Sequence, residues 1–446
     1  MDHINFHEHL EHHEKKHPPV NTKEVLVLLA LSFLSYLIFY FMNMQLTKYL
    51  EPHAYGDFKS AIRIAVFMVV FITFGMSTAS NVLLPGYIVE KKKSNTTGLI
   101  RWVSKNVLII CSLYITAVLL VHLAILVTQN MAISDLYKIH PSLMMILFTP
   151  LLGISYLLAA PILAKHKFVA VSVPSSIIYP LSFLILMGLS YLIGITLDTI
   201  PLLIIFIISQ TLAVLVTVVL GWREIKQELS STVDDSEKNR WKELSTTSFF
   251  NILNASFYAA MGIMLCEWLC KDEAQVGYFA VLTLLTSIYY TLTSPLNNFG
   301  KPQFQELTAE HDMAGLQQLW NKLLLIRLAI VIGLCICQII FGRALLEHFG
   351  PQYAHLYPIL VVASVGYSFN YFMAGAPVLL FYTGLHKIQT QIGVAQTILT
   401  AILMAIGAYL YGASGVIYAA IGVRFVTFLI MNEVIRRHSI KPYGIF

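Results

Sequence analysis

The sequence is short of charge. Asp, Glu, Lys and Arg make up only 12% of its 446 residues, about half of what a soluble domain carries. Carboxylates are scarcest where they would matter most: no Asp or Glu lies near the middle of any long apolar stretch. Cysteine is also sparse. Cys111, Cys266, Cys270, Cys335 and Cys337 sit in or beside apolar runs, which excludes a disulfide scaffold and reads as packing. Cys266 and Cys270 are one helical turn apart, close enough for a metal or disulfide pair, but small apolar packing suits the setting better. Neither a phosphate-binding Gly loop with Lys, nor His-Glu-x-x-His, nor Gly-x-Ser-x-Gly is present. We therefore expect no catalytic residue, no cofactor, no metal and no direct use of ATP. The net charge of +5 is scattered over short loops, unlike the basic face of a nucleic-acid-binding protein.

What the chain has is apolar length. It is 57% hydrophobic, and its apolar runs reach the roughly 20 residues that a helix needs to span a bilayer. Helices satisfy their own backbone there, where no water can. Twelve runs stand out, over 25–47, 60–88, 103–128, 141–164, 168–195, 199–221, 247–269, 275–299, 323–346, 354–384, 389–411 and 414–435. The fold class is an all-α integral membrane protein. Prolines interrupt several runs (Pro150, Pro161, Pro174, Pro180, Pro377), which membrane helices tolerate where neighbours take up the freed carbonyls. About 22 polar residues precede the first run and no small-residue cleavage site follows it, so that run is expected to stay as an anchor.

Lysine and arginine set the orientation. The tail and the even-numbered loops hold 22 of the 29, the other face holds six, and Arg424 lies within a run. Positive charge favours the cytoplasmic side, so both termini are expected there. The resulting division is a His-rich cytoplasmic tail (1–24), an N-terminal six-helix bundle (25–221), a cytoplasmic linker (222–246), a C-terminal six-helix bundle (247–435) and a short tail (436–446). The linker carries mixed charge and is expected to be helical at the membrane surface. The tail reads as a solvated segment that binds metal weakly if at all.

The halves resemble each other. Tyr55-Gly56-Asp57-Phe58 opens the second run and Val276-Gly277-Tyr278-Phe279 the eighth. At the far ends of the same runs, Asn81-x-x-x-Pro85 matches Asn298-x-x-x-Pro302. Two motifs in the same order imply two pseudo-symmetric six-helix bundles about an axis normal to the membrane, with the substrate path between them.

Charge at mid-depth is costly, about 2.5–3.5 kcal/mol on insertion scales, and it usually has a function or a partner. Arg424, midway along the last run, either faces a cavity and holds an anionic group or caps the carbonyls of a broken helix; its depth favours the first. Arg63 and Arg327, about a turn inside opposite faces, either reach out to headgroups or join Arg424 as basic stations at three depths. Asn251, Asn254 and Tyr258 share a helical face, as do Tyr290, Ser294 and Asn297, and Asn370 and Tyr371 precede Gly375 and Pro377. They suit either a wet cavity lined with hydrogen-bonding groups or contacts between helices. His122, in the third run, reads as a packing residue.

Leu46-Thr-Lys-Tyr-Leu-Glu-Pro-His-Ala-Tyr55-Gly56-Asp-Phe58 resembles the approach to the second helix in Wzx-type polysaccharide flippases, and Pro295 to Leu307 resembles that family's eighth-helix exit. The family belongs to the multidrug/oligosaccharidyl-lipid/polysaccharide (MOP) exporter superfamily. The resemblance implies a V-shaped, alternating-access transporter of undecaprenyl-diphosphate-linked oligosaccharide, used in O-antigen, lipopolysaccharide or other surface polysaccharide assembly. It implies membrane lipids, a polysaccharide polymerase and assembly proteins as partners, and basic cavity residues for the diphosphate. Arg424 and Arg63 are candidates by depth rather than by motif. The alternative is a drug exporter of the same superfamily, which would want a cavity carboxylate. A membrane polymerase or ligase would want a large outer loop with arginines, and neither feature is present.

Overall fold

The computed structural model describes residues 22–130, 140–165, 167–309, 312–381 and 385–438. The His-rich tail, Met1–Asn21, and the last eight residues lie outside them, as do the side chains of Asn298 and Pro302 in the second Asn-x-x-x-Pro copy. Every regular element among the described residues is helical.

The N-terminal half comprises α1 (Thr22–Tyr49), α2 (Pro52–Thr73), α3 (Met76–Val89), α4 (Lys93–Thr128), α5 (Pro141–Ile146), α6 (Thr149–Ala164), α7 (Phe168–Val173), α8 (Tyr179–Leu192) and α9 (Thr199–Ile225). The C-terminal half comprises α10 (Lys238–Leu269), α11 (Ala274–Ala309), α12 (Met313–Glu347), α13 (Tyr357–Phe372), α14 (Ala376–Leu380) and α15 (His386–Arg437). Among the described residues nine helices are long and apolar enough to span a bilayer, and the bent pair α2–α3 makes ten. The shorter α6 adds a further pass with α5, and α15 supplies two. At 52 residues an unbroken α15 would extend about 78 Å. It turns back instead at Gly412, where φ is 62° and ψ −142°. Gly407 and Gly415 then lie backbone against backbone, which only a reversal permits. The result is twelve passes in all.

Several passes begin earlier than apolarity suggests. The second starts at Pro52 rather than residue 60 and the ninth at Met313 rather than 323. Polar side chains in the first turns hide these starts from a hydropathy reading. Helices break beside Pro150, Pro174 and Pro377, whereas Pro161 lies inside α6 and Pro180 in the first turn of α8. α5 and α6 part just before Pro150, a π-helical turn fills Pro174–Ile178, and α13 gives way to α14 before Pro377. α2 and α3 meet at 57° across Phe74 and Gly75, both left-handed. The Ser245 hydroxyl donates to the freed Phe74 carbonyl at 2.6 Å, and a side chain on Gly75 would strike the α10 backbone.

Between α9 and α10 the chain forms no long helix of its own. α9 runs on to Ile225, a single 3-10 turn covers Lys226–Glu228, and α10 starts at Lys238. The stretch between docks on α4: Asp234 N–H donates to Ser94 O at 3.2 Å and Asn95 donates to the Asp234 carboxylate at 3.1 Å.

The buried clusters reveal the shape. One large cluster joins both halves at the face away from the termini, with Leu46, Tyr55, Phe58 and Leu202 packed beside Cys266, Val276, Phe349 and Tyr353. At the terminal face there are two smaller clusters, one of which takes in the start of α10. Leu83, Leu99 and Ala164 surround Trp241 in one, and Phe304, Trp320, Met373 and Ile435 form the other. The halves thus share one large core at the far face, and at the terminal face they meet where the start of α10, with Trp241, packs on the N-terminal half.

The fusion rests on the repeat. α2 and α11 cross where Gly56 meets Gly277. A Cβ on Gly56 would lie 2.8 Å from Gly277 N, and one on Gly277 would overlap the Pro52 carbonyl. Between apolar helices in a bilayer, close packing of backbones supplies much of the attraction. The shared Gly-x-Phe is therefore a contact between the halves as well as a sequence echo.

Candidate functional site

α2 presents basic side chains to the seam. Arg63, Phe67 and Phe71 are four residues apart and share one helix face. Phe67 packs on Phe257 and Phe71 on Phe249, with ring centroids 6.1 and 6.0 Å apart. Both partners belong to α10, so this face looks into the other half. Lys59, one turn earlier, donates to Asn43 Oδ1 at 2.7 Å, and Tyr55 OH donates to the same oxygen at 2.9 Å. Reading the pass as starting at residue 60 assigned Lys59 to a loop and Arg63 to a helix end. The true start puts Arg63 three turns in, and headgroups are no longer within easy reach. The signal was the i, i+4 pair of cations after a Pro-led helix start.

Arg424 faces the seam side of the C-terminal half among tyrosines. Its guanidinium lies 5.2 Å from the Tyr258 ring and 5.8 Å from the Tyr371 ring. Gln396 donates to Tyr258 OH at 3.2 Å. Tyr371 stacks on Tyr289 at 6.1 Å and touches Tyr290 and Tyr367 at 6.4 and 6.1 Å. No carboxylate pairs with Lys59, Arg63 or Arg424 among the described residues. Aromatic faces hold a guanidinium by about 0.5–2 kcal/mol without neutralising it, so its donors stay available to an anion.

Tyr290 also lines a pocket of about 200 Å³ between α1, α7, the π-helical turn and α11. Six serine and threonine hydroxyls face it, among them Ser35, Ser176 and Ser294. Of the polar stripe on the eighth pass, Tyr290 and Ser294 line this pocket. Asn297, the third, turns instead to Arg327.

Arg327 is fully buried, and headgroup snorkelling is ruled out. Its Nη2 donates to Asn297 Oδ1 at 2.6 Å, while Nε and Nη1 have no partner among the described residues. The guanidinium packs on Trp320 and on Gly375 at the α13–α14 break. Asn370 is 1% exposed with neither polar atom bonded. Asn254 is half-buried and Asn251 exposed on α10. The structure thus gathers the named residues into two places, Arg424 with Tyr258 and Arg327 with Asn297, and keeps Arg63 on the opposite wall. Sequence reading missed Lys59, Tyr367 and Gln396.

Other residues have structural settings. His122 is buried and bonds through Nδ1 to Val118 O at 2.8 Å. The cysteines are free thiols, with Cys270 Sγ 3.6 Å from Ala408 O. Glu433 pairs with Arg436 and Arg437 at the exposed end of α15.

Solved structures share this architecture. An inward-facing multidrug resistance MATE family transporter of the MOP superfamily superposes with a TM-score of 0.69, over 93% of this chain and 98% of that one, at 11% identity. The fold is that of the MOP-superfamily transporters. The lipid II flippase MurJ in an inward closed conformation gives 0.66 over 92% of this chain and 87% of its own, at 14% identity. An outward-facing MATE transporter gives 0.60 over 94% and 96%, at 10% identity. No protein-family model and no curated protein sequence matches the chain.

Proposed function

We propose that this chain is an alternating-access flippase for a lipid-linked oligosaccharide carrying a diphosphate, of the undecaprenyl-diphosphate type. The observation that carries the proposal is the set of cations without carboxylate partners, on the faces turned to the seam in both halves: Lys59 and Arg63 on one side, Arg424 on the other. A diphosphate suits them. It would meet guanidinium donors in a setting of low dielectric, where charge-assisted bonds are strongest. Sugar hydroxyls suit the hydroxyl-lined pocket beside Tyr290. The halves would open alternately about the α2–α11 crossing. The lysine and arginine distribution supports termini in the cytoplasm, and a load of this type belongs to a bacterial inner membrane, so the far face would be periplasmic and the load would move outward. Surface polysaccharide assembly is the context that fits, with a polymerase and assembly proteins downstream.

The test is depletion in a cell that makes a surface glycan. Lipid-linked glycan accumulates on the inner leaflet, and wild-type chain restores its passage while Arg424→Ala does not. If depletion leaves the glycan intact and removes resistance to a drug, the chain is an exporter of small molecules instead.

A further inference from the structure

Beside the Gly56–Gly277 crossing, three titratable side chains from both halves meet on the far face. Asp57 follows Gly56 in α2, His140 precedes α5, and Glu267 is in the last turn of α10. His140 Nε2 is 2.9 Å from Glu267 Oε1, across the seam, and 4.0 Å from Asp57 Oδ1, within its own half. Glu267 is only 13% exposed on its side chain, and its other oxygen has no hydrogen-bond partner among the described residues. Two carboxylates from opposite halves therefore share one imidazole at the edge of the contact that closes the far side.

The imidazole's charge decides whether that arrangement attracts or repels. His140 Nδ1 accepts from Ser142 N–H at 3.3 Å, so a neutral ring already carries its proton on Nε2 and donates to Glu267. Charging the ring puts a second proton on Nδ1 and gives up only that long contact. With the ring charged, one cation stands between two anions. With it neutral, Asp57 and Glu267 repel each other with one weaker hydrogen bond between the halves. The other titratable groups whose fields reach the cluster are His53 on α2, acting on Asp57, and Glu273 ahead of α11, acting on both Asp57 and His140. Glu273 favours the charged ring as Glu267 does. Nothing else in the mechanism above uses these residues.

We propose that Asp57, His140 and Glu267 form a proton-operated latch across the seam, which holds the far side shut while His140 is charged and lets the halves part when the proton leaves to the water outside. The hydrogen bond to Glu267 holds the His140 imidazolium above the usual histidine range in the closed form, against the opposing effect of burial. A group bound more tightly by the closed state favours that state at low pH and loses its effect as pH rises through the raised value. Each unit of difference between closed and open changes the open-to-closed ratio about tenfold.

The proposal rests on the alternating-access reading, but its test reads conformation and no transport, so the two can fail separately. Spin labels at Tyr49→Cys and Lys271→Cys, exposed positions at the far ends of α1 and α10, report the opening of the far side. The full-length chain, freed of its native cysteines, is placed in lipid nanodiscs at about pH 5.5 and about pH 8.5, either side of the ordinary histidine value. The expected result is a longer-distance population that grows about tenfold at the higher pH. His140→Gln keeps an amide donor for Glu267 but cannot charge, and should give one distribution at both pH values. Glu267→Gln removes the repulsion and should weaken the response. An unchanged distance distribution in the parent protein, or a pH shift that survives in His140→Gln, overturns the latch.

Discussion

Gly277→Ala should open the far side. A Cβ at this position would lie 2.7 Å from Pro52 C and closer still to its carbonyl oxygen. Both are backbone atoms, so no side chain can rotate away and α2 or α11 must retreat. Overpacking of this kind costs about 1–3 kcal/mol. The cost falls only on the state in which the two helices cross, because the crossing is undone once the far side parts. It therefore becomes a population shift of about 5- to 150-fold toward the far-open form, with a lower melting temperature wherever the closed form dominates. Label distances across the far face read the shift, and a thermal melt in detergent reads the stability. Gly333→Ala, where nothing lies within 4 Å of the new methyl, is the control and should do neither. If Gly277→Ala matches that control in both measurements, the crossing is not what closes the molecule.

Arg424→Ala should lose two aromatic contacts of about 0.5–2 kcal/mol each yet abolish glycan passage, and Arg424→Lys should rescue only part because an ammonium lacks the planar fork; normal surface glycan in the alanine variant would remove Arg424 from the mechanism. Arg327→Met should leave the melting temperature unchanged or raise it, by about 1–4 kcal/mol of stability at most, because it removes a buried charge with two unbonded donors; a large fall would mean the guanidinium has a partner in another state. Trp241→Phe should cost about 1–3 kcal/mol, since the Trp241 Nε1 bond to Tyr87 OH at 2.9 Å, and through it to Glu237 at 2.8 Å, ties the linker to the N-terminal half. Limited proteolysis near Asp234 and Asp235 should then speed up, and unchanged cleavage would count against that tie.

Hydropathy carried the passes because a span is a local property, legible in any 20-residue window. It misplaced their ends wherever a helix begins in polar residues, and that error hid Lys59 and made Arg63 look peripheral. Arg424 was legible as a charge in an apolar run. Its tyrosine surroundings were not, since Tyr258, Tyr371 and Arg424 come from three separate helices. By depth alone Arg327 could either reach headgroups or join Arg424 as a basic station, and only packing on Trp320 and Gly375 showed it to be sealed inside.

By itself the sequence determined the solvent, the twelve passes and their arrangement in two related halves, since each depends on composition along a short stretch or on a repeated word. The tertiary structure alone decided which face the halves close on, which cations look into the seam, and that Glu267 meets His140. Those are contacts between residues far apart in the chain. No local pattern encodes them, because they depend on how two finished bundles lean on one another.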